Sequence, residues 1–257
     1  MMHSITRVIN NKYFKAVFAA FLWLAVWQAV YFAVGSDLVI ASPLTVLKTL
    51  FGFVKRASFW SAVSLTIARI AAGFLLGTVF GVLFAVICRR FSLLNTLLAP
   101  MLKIIRATPV VSFIILAWIW IDRGLIPVFI TLLMVLPIVW EAVYTGIGEI
   151  PVKFKELATV FSLSLPKRLF KIYIPSVLPF FNSAAVTSLG LAWKSGIAAE
   201  VITQPEFSIG SGLYNAKIYL ETGEIFAWTT VVVLLSVLLE KLLSRALKKR
   251  SEAFKNG

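Results

Sequence analysis

The sequence has few charged residues and almost no cysteine or histidine. Only 14% of its 257 residues are Asp, Glu, Lys or Arg, whereas about a quarter are charged in soluble domains. A single cysteine, Cys88, excludes an internal disulfide, and His3 as the only histidine argues against a Cys/His metal site. The sequence also lacks a glycine-rich Lys-Ser/Thr phosphate loop and any Ser/His/Asp or Cys/His constellation. We therefore predict no catalytic residue, no metal and no cofactor.

Apolar residues make up most of the chain. They account for 60% of the residues, and the mean hydropathy is +0.93, outside the range of soluble globular domains. About 20 apolar residues cross the roughly 30 Å hydrocarbon core of a bilayer. The sequence therefore predicts an all-α membrane protein with one transmembrane domain over residues 1–257 and no soluble domain. The six predicted spans are about 16–34, 62–88, 92–121, 125–147, 174–199 and 222–245.

Proline interrupts the third predicted span. Pro109 removes a backbone donor and disfavours helical geometry at Thr108, so we predict a break inside the span rather than a surface loop. Carbonyls freed at that depth are tolerated only beside protein or a wet cavity. A separate amphipathic helix at the membrane surface is predicted over 42–56, which opens with Ser-Pro.

The basic residues are unevenly distributed between the spans. The net charge of +14 would suggest nucleic acid as a partner of a soluble protein, but in a membrane protein such an excess marks cytoplasmic loops. With the N-terminus inside, 16 of the 25 basic residues lie in the inner segments 1–15, 89–90, 149–171 and 241–257. This bias predicts that both termini and the segment 149–171 are cytoplasmic, and no nucleic-acid partner is expected.

One charged, amphipathic segment lies between the fourth and fifth spans. Pro151 suits the first turn of a helix and Pro166 stops one, which predicts a helix over 151–165 that is too short to span. Its apolar residues recur at helical spacing and form one stripe: Phe154, Leu157, Ala158, Phe161 and Leu165. Ala158 and Ser162 are a small pair that would let another surface approach closely. The residues alone allow a helix resting on lipid headgroups or one that docks a cytoplasmic partner.

The spacing in this segment resembles the signature loop of bacterial ABC importer permeases, which is Glu-Ala-Ala, three residues, Gly, nine residues and Ile-x-Leu-Pro. Here Glu156–Ala158 is followed after three residues by Ser162, and nine residues later by Ile172–Pro175. Three residues depart from the pattern: Leu157 for Ala, Ser162 for Gly and Ile174 for Leu. In the family this loop is the coupling helix, which sits in a groove of the ATPase subunit and transmits its closure to the membrane helices. The resemblance implies an ATPase-coupling role for Glu156, Leu157, Ala158, Ser162, Ile172 and Pro175.

Further motifs extend the resemblance from about Ala41 to Leu247. The motifs look like those of the nitrate/sulfonate/taurine branch: Ala41-Ser42-Pro43, Arg106-Ala107-Thr108-Pro109, Ala192-Trp193-Lys194 and Ala198-Ala199-Glu200. Relatives of riboflavin-like and pyrimidine-precursor importers occur in the same branch, so the motifs do not fix the cargo. Two classes of cargo stay open: a small organic anion such as a sulfonate, or an aromatic heterocycle.

The family resemblance also implies an assembly and a mechanism. It implies a type I importer permease of the bacterial cytoplasmic membrane with six transmembrane helices. The permease pairs with a second copy of itself or with a different permease, and each of the two docks a cytoplasmic ATPase that binds ATP. An extracytoplasmic binding protein delivers the solute. Transport would then proceed by alternating access.

Several polar or aromatic residues fall inside the predicted spans. Arg106 and Lys194 are costly in hydrocarbon and should face a cavity, a partner or a headgroup region. The candidates for lining a translocation path are Arg106, Thr108, Pro109, Asn182, Thr187, Trp193 and Lys194. The structural alternatives are snorkelling of Arg106, a Lys194–Glu200 pair, interhelical hydrogen bonds along span five, and an interfacial tryptophan belt. Glu141 is expected to have a structural partner.

Glycines mark a helix-packing face and a turn. Gly73, Gly77 and Gly81 form two overlapping Gly-x-x-x-Gly repeats in span two, typical of close helix contact. Gly210-Ser211-Gly212 predicts a flexible turn in an outer loop.

Two rival functional classes remain open on the residues. An ion-gradient-driven secondary transporter also uses interrupted spans, but the sequence has no internal repeat, and the two carboxylates considered for the membrane interior, Glu141 and Glu200, lie near span ends. A membrane-anchored interaction or assembly protein would not need broken helices around polar residues.

Overall fold

The protein is built from helices in a computed structural model that describes residues 12–256. Within those residues there is no β-strand. The helices are α1 (Lys12–Val34), α2 (Pro43–Val54), α3 (Ala57–Arg90), α4 (Ser92–Ala107), α5 (Val110–Ala117), α6 (Ile126–Gly148), α7 (Val152–Val160), α8 (Leu165–Arg168), α9 (Ile174–Thr203), α10 (Ile209–Ile218) and α11 (Thr222–Asn256), with a π-helical turn, Leu169–Tyr173, between α8 and α9. His3 lies outside the described residues.

Five of these helices are long and apolar enough to cross a membrane, and the bent pair α4–α5 would make a sixth span. The five are α1, α3, α6, the continuous helix Leu165–Thr203 and α11. The predicted all-α membrane fold is therefore confirmed. Several helices are longer than the predicted spans, most clearly α3, which begins at Ala57, and α11, which continues to Asn256.

The third span is broken where proline predicts it. Thr108 has an extended backbone, with φ −81° and ψ 134°, and its side chain donates to the carbonyl of Ile104 at 2.8 Å. The axes of α4 and α5 differ by 103° across this break. The predicted helix break at this position is confirmed, because the residue before a proline avoids the helical region; its depth inside a span stays a prediction.

The chain divides into two compact units. The first comprises the described residues up to Trp60 together with Gly212–Val231. Its core is an aromatic cluster in which Trp228 lies 4.7 Å from Phe53 and 5.4 Å from Phe59, measured between ring centroids. The helix predicted at 42–56 is α2, where the Ser42 side chain accepts a hydrogen bond from the Thr45 amide at 3.1 Å; its place at the membrane surface stays a prediction.

The second unit, Ser61–Ser211 with the described residues from Val232 onward, holds the glycine interface. A Cβ on Gly77 would lie 2.8 Å from the carbonyl of Leu132, and one on Gly81 would lie 2.9 Å from that of Leu136. Gly73 makes the same kind of approach to Thr131. The residue numbers of the contacts on α6 increase as those of the glycines on α3 increase, so α3 and α6 run parallel. The absent side chains let the two backbones meet.

Helix α9 packs on α6 in the opposite direction. Gly196 faces Thr131, whereas Phe180 faces Gly146. A larger residue number on α9 thus meets a smaller one on α6, and the two helices are antiparallel. The flexible turn predicted at Gly210–Gly212 is wrong: these residues lie in α10 (Ile209–Ile218).

Candidate functional site

The segment with the importer-loop spacing folds as a short helix closed by a left-handed residue. The predicted helix 151–165 is wrong at its C-terminal end, because α7 stops at Val160. Ser162 has φ +48°, its amide donates to the carbonyl of Thr159 at 3.0 Å, and the Leu163 amide donates to the carbonyl of Ala158 at 2.9 Å. These two bonds form a Schellman motif. Pro166 then belongs to the first turn of α8 and does not stop α7.

Ser162 therefore occupies a position whose backbone favours glycine, the residue of the family pattern. We expect Ser162→Gly to stabilise the turn by about 1 kcal/mol, because glycine has no Cβ penalty in the left-handed region. Ser162→Val should destabilise it, since a β-branched side chain is a genuine outlier there. The thermal unfolding midpoints of the purified variants measure both effects. A midpoint that Ser162→Gly lowers and Ser162→Val raises would contradict the assignment.

Most of the apolar stripe on this segment is exposed. Leu157 is 47% and Phe161 70% exposed, and Phe154 and Leu165 are also open. Ala158 is only 3% exposed, so it is covered by its own chain and cannot form the predicted close-approach surface. Glu156 is exposed. Exposed apolar side chains that cluster beside charged ones mark an interaction surface.

The remaining residues of the loop pattern lie where the segment enters the membrane-spanning helix. Ile172 is half-buried in the π-helical turn, and Pro175 is half-buried in the first turn of α9. Arg168, which the pattern did not identify, is also half-buried, and its guanidinium donates from Nε to the carbonyl of Leu163 at 2.8 Å. Its Nη2 donates to the carbonyl of Ala158 at 3.2 Å.

Arg106 forms an ion pair with Glu141 beside the break in the third span. The side chains are 49% and 53% exposed, although both helices are apolar. The expectation that Glu141 has a structural partner is confirmed. Thr108 is half-buried and Pro109 is exposed next to this pair. An ion pair on the surface of apolar helices is costly in hydrocarbon, so this face needs water, protein or a headgroup region against it.

The polar candidates on α9 are spread over several environments. Lys194 is exposed, and none of the described residues offers it a carboxylate within ion-pair distance. Thr187 is exposed but donates to the carbonyl of Ser183 in its own helix. Asn182 is half-buried, and its Oδ1 has no hydrogen-bond partner among the residues that the structure describes. Trp193 is buried and its indole donates to the carbonyl of Val232 at 3.0 Å, so in this conformation it offers no surface to a solute.

Glu200 is the centre of a buried polar cluster that the sequence did not reveal. Its carboxylate accepts from the Thr66 hydroxyl at 2.8 Å, from the Gly210 amide at 3.2 Å and from the Arg69 guanidinium at 3.3 Å. Arg69 also donates to the carbonyls of Glu206 and Phe207, at 2.9 and 3.2 Å. The predicted Lys194–Glu200 pair is wrong. The available signal was Arg69, a basic residue inside span two that needs a partner.

These features define a class of protein. The chain has multiple apolar helices, one of them broken beside an ion pair, and a short helix with exposed apolar side chains. This combination is typical of a membrane component that works with a partner. Residues 77–253 match the family described as binding-protein-dependent transport system inner membrane component, and the chain belongs to that family. Its members are permease subunits of ABC importers, which are not enzymes themselves and work with ATPase subunits and substrate-binding proteins.

Similar proteins include permeases named for anions. The aliphatic sulfonates transport permease protein SsuC of Bacillus subtilis (strain 168) is 25% identical over 88% of this chain and 83% of its own length. The nitrate import permease protein NrtB of Synechococcus elongatus (strain ATCC 33912 / PCC 7942 / FACHB-805) is 24% identical over 76% of this chain and 73% of its own.

A solved structure supports the fold. The crystal structure of an amino acid ABC transporter with histidines aligns with a TM-score of 0.60 and 14% identity, covering 82% of this chain and 97% of that one. At this identity the likeness concerns the fold alone. The all-helical fold of this chain is therefore similar to that of an ABC transporter of known structure.

Proposed function

We propose that this chain is the permease of an importer that moves a small anion by alternating access, driven by separate ATPase subunits. The observation that carries the proposal is the exposed apolar stripe of α7, because it lies on the segment with the importer-loop spacing. The permease itself would hold no cofactor, and ATP would be bound by its partners. The ion-gradient alternative has no support from the family or the relatives.

The coupling step follows from that stripe. Phe154, Leu157 and Phe161 offer an apolar contact to a cytoplasmic ATPase subunit, and Glu156 lies beside them as a charged contact. When two ATPase subunits close on ATP, they would draw together the α7 helices of two permease copies. Ile172 and Pro175 lie where this displacement would enter α9.

The orientation is proposed with both termini and α7 in the cytoplasm of a bacterial cell. The uneven distribution of Lys and Arg supports it. The parallel course of α3 and α6 and the antiparallel course of α9 agree with the proposed order of alternating spans, in which spans two and four cross in one direction and span five in the other.

Pairing with a second copy is supported by the Arg106–Glu141 face. Half-exposed charges on apolar helices need an aqueous path or another protein surface. A homodimer would meet this need, because the same face would line the path from both sides. Thr108 and Pro109 at the break, and Asn182 and Thr187 on α9, are proposed as further path residues; the three glycines of α3 would serve helix packing.

The cargo is proposed to be a small anion such as an organic sulfonate. Two similar permeases are named for aliphatic sulfonates and for nitrate, and both of these solutes are anions. Lys194 supplies positive charge within the spans, and the Arg106 guanidinium, although paired with Glu141, has the planar geometry that suits oxyanions. An aromatic heterocycle is the second candidate, favoured by the aromatic content of 14%.

Reconstitution tests the function directly. The permease would be placed in liposomes with its cognate ATPase subunits and binding protein, and uptake of labelled methanesulfonate and nitrate would be measured. We expect uptake that requires internal-side ATP and the binding protein and is insensitive to ionophores. Uptake that persists without ATP and collapses with an ionophore would overturn the proposal in favour of a secondary transporter.

Lys194→Met is expected to reduce anion uptake per inserted permease about five-fold or more, because a partly desolvated charge contributes about 1–3 kcal/mol to a passing anion. Folding should be unaffected, since Lys194 is exposed and ion-paired to no described carboxylate. Lys217→Met, another exposed lysine, is the matched control. Equal uptake by Lys194→Met and the wild type would remove Lys194 from any role in the path.

A further inference from the structure

We propose that Arg168 is a positioning residue that makes α7 and the start of α9 move as one body. The inference rests on the proposed coupling function and deepens it. It concerns how a displacement of α7 would reach a membrane-spanning helix across a connection that contains a tight turn.

Arg168 bridges two helices through the backbone. Its Nε donates to the carbonyl of Leu163 at 2.8 Å and its Nη2 donates to the carbonyl of Ala158 at 3.2 Å. Ala158 is in the last turn of α7, where carbonyls have no intrahelical partner and the helix dipole is negative. The same carbonyl accepts the Leu163 amide of the Schellman motif, so one cation and one amide converge on it.

The other end of the bridge is rigidly joined to the membrane. Arg168 ends α8, the π-helical turn begins at the next residue, and α9 follows it directly. Leu165–Thr203 is in consequence one uninterrupted helical stretch. A guanidinium anchored at its N-terminal end therefore connects α7 to the whole of span five.

Without this bridge, the connection would be a hinge. Residues 161–164 join α7 to α8, and Ser162 within them holds a positive φ that a serine adopts at a cost. Rotation at this link would absorb a displacement of α7 before it reached α9. The two arginine bonds span the link and oppose that rotation.

The chemistry requires arginine and not only positive charge. Two donors on different nitrogens of a planar fork reach two carbonyls, whereas lysine offers a single flexible ammonium. Lys167, the preceding residue, carries the same charge but is exposed, and no hydrogen bond or ion pair links it to another described residue. It is a matched control for removing one charge from this segment.

The experiment uses the complete importer with wild-type permease, Arg168→Gln, Arg168→Lys and Lys167→Gln. Three quantities are measured: ATPase subunits that co-purify with the permease, ATP hydrolysis by the complex, and uptake of labelled methanesulfonate. We expect Arg168→Gln to lower the ratio of uptake to ATP hydrolysis about ten-fold or more, because both charged hydrogen bonds to the carbonyls of Leu163 and Ala158 are lost, with ATPase association retained. The ratio of uptake to ATP hydrolysis in Arg168→Lys should lie between those of Arg168→Gln and the wild type, and the ratio in Lys167→Gln should match the wild type.

Other results would overturn the inference. An unchanged ratio of uptake to ATP hydrolysis in Arg168→Gln, or an equal fall of that ratio in Lys167→Gln, would show that Arg168 does not make α7 and α9 move together. A parallel loss of hydrolysis and uptake would assign it to docking or folding instead. If Arg168→Gln fails to insert, Arg168→Lys supplies the same ratio, and a wild-type ratio there excludes the coupling role of Arg168. Absence of ATP-dependent uptake in the wild type would instead refute the proposed function.

Discussion

Replacing Leu157 with Asp is expected to abolish uptake and to release the ATPase subunits while the permease still inserts. Leu157 is 47% exposed in the middle of the apolar stripe, so its loss should disturb α7 little. Burying a leucine side chain contributes about 1.5–3 kcal/mol, and a charge buried in its place adds a further penalty. ATPase association should therefore weaken by about 100-fold or more.

The readout is the amount of ATPase that co-purifies per inserted permease, with uptake measured in parallel. Val152→Asp is the matched control, because Val152 is also exposed on α7 but points away from Phe161 at helical spacing. Glu156→Lys should also weaken docking, by charge reversal. A permease with Leu157→Asp that retains its ATPase subunits would favour a helix that rests on lipid headgroups. Ala158→Trp is not a clean probe, since Ala158 is buried and the tryptophan would disrupt α7 itself.

Glu200→Ala is expected to lower the stability of the permease by about 3–5 kcal/mol, because it leaves a guanidinium largely buried without its carboxylate. Arg69 is only 16% exposed and Glu200 is fully buried. The Gly210 amide and the Thr66 hydroxyl would lose the same acceptor. The midpoint of thermal unfolding in detergent and the amount of inserted protein measure the effect.

Glu206→Gln serves as the control for Glu200→Ala. Glu206 is 79% exposed, and its only ion pair within the described chain is a 3.9 Å contact with Arg123, which contributes little at an exposed site. Its unfolding midpoint should stay close to that of the wild type. If Glu200→Ala and Glu206→Gln had the same midpoint, the buried cluster would not be a stability determinant, and the carboxylate could be assigned another role.

Local patterns explain which parts of the site the sequence could predict. The importer-loop spacing identified the segment around Glu156, because a short amphipathic helix bounded by prolines is a local pattern. The spacing aligns Ser162 with the glycine of the family pattern, yet the sequence predicts a helix as far as residue 165, since no local pattern indicates that a serine adopts φ +48°. That conformation is set by the converging bonds at Ala158 and by Arg168, which lies beyond the predicted helix.

The ion pairs also separate what local patterns predict from what only the tertiary structure decides. Arg106 and Lys194 were recognised as costly in hydrocarbon, but the sequence offered no means to choose their partners. Glu141 is 35 residues from Arg106, and Glu200 is 131 residues from Arg69. The nearer candidate for Glu200, Lys194, was wrong because residues six apart on a helix point to different sides.

The sequence by itself determined the all-helical membrane fold, the number of apolar segments and the break at Pro109. Each follows from a local constraint: a bilayer requires a fixed length of apolar helix, and proline cannot donate a backbone hydrogen bond. The tertiary structure alone decided that Ala158 is buried, that Arg168 donates hydrogen bonds to the carbonyls of Ala158 and Leu163, and that Arg69 and Thr66 donate to Glu200. These contacts join residues on different helices, and their partners are selected by how the helices pack and not by spacing along the chain.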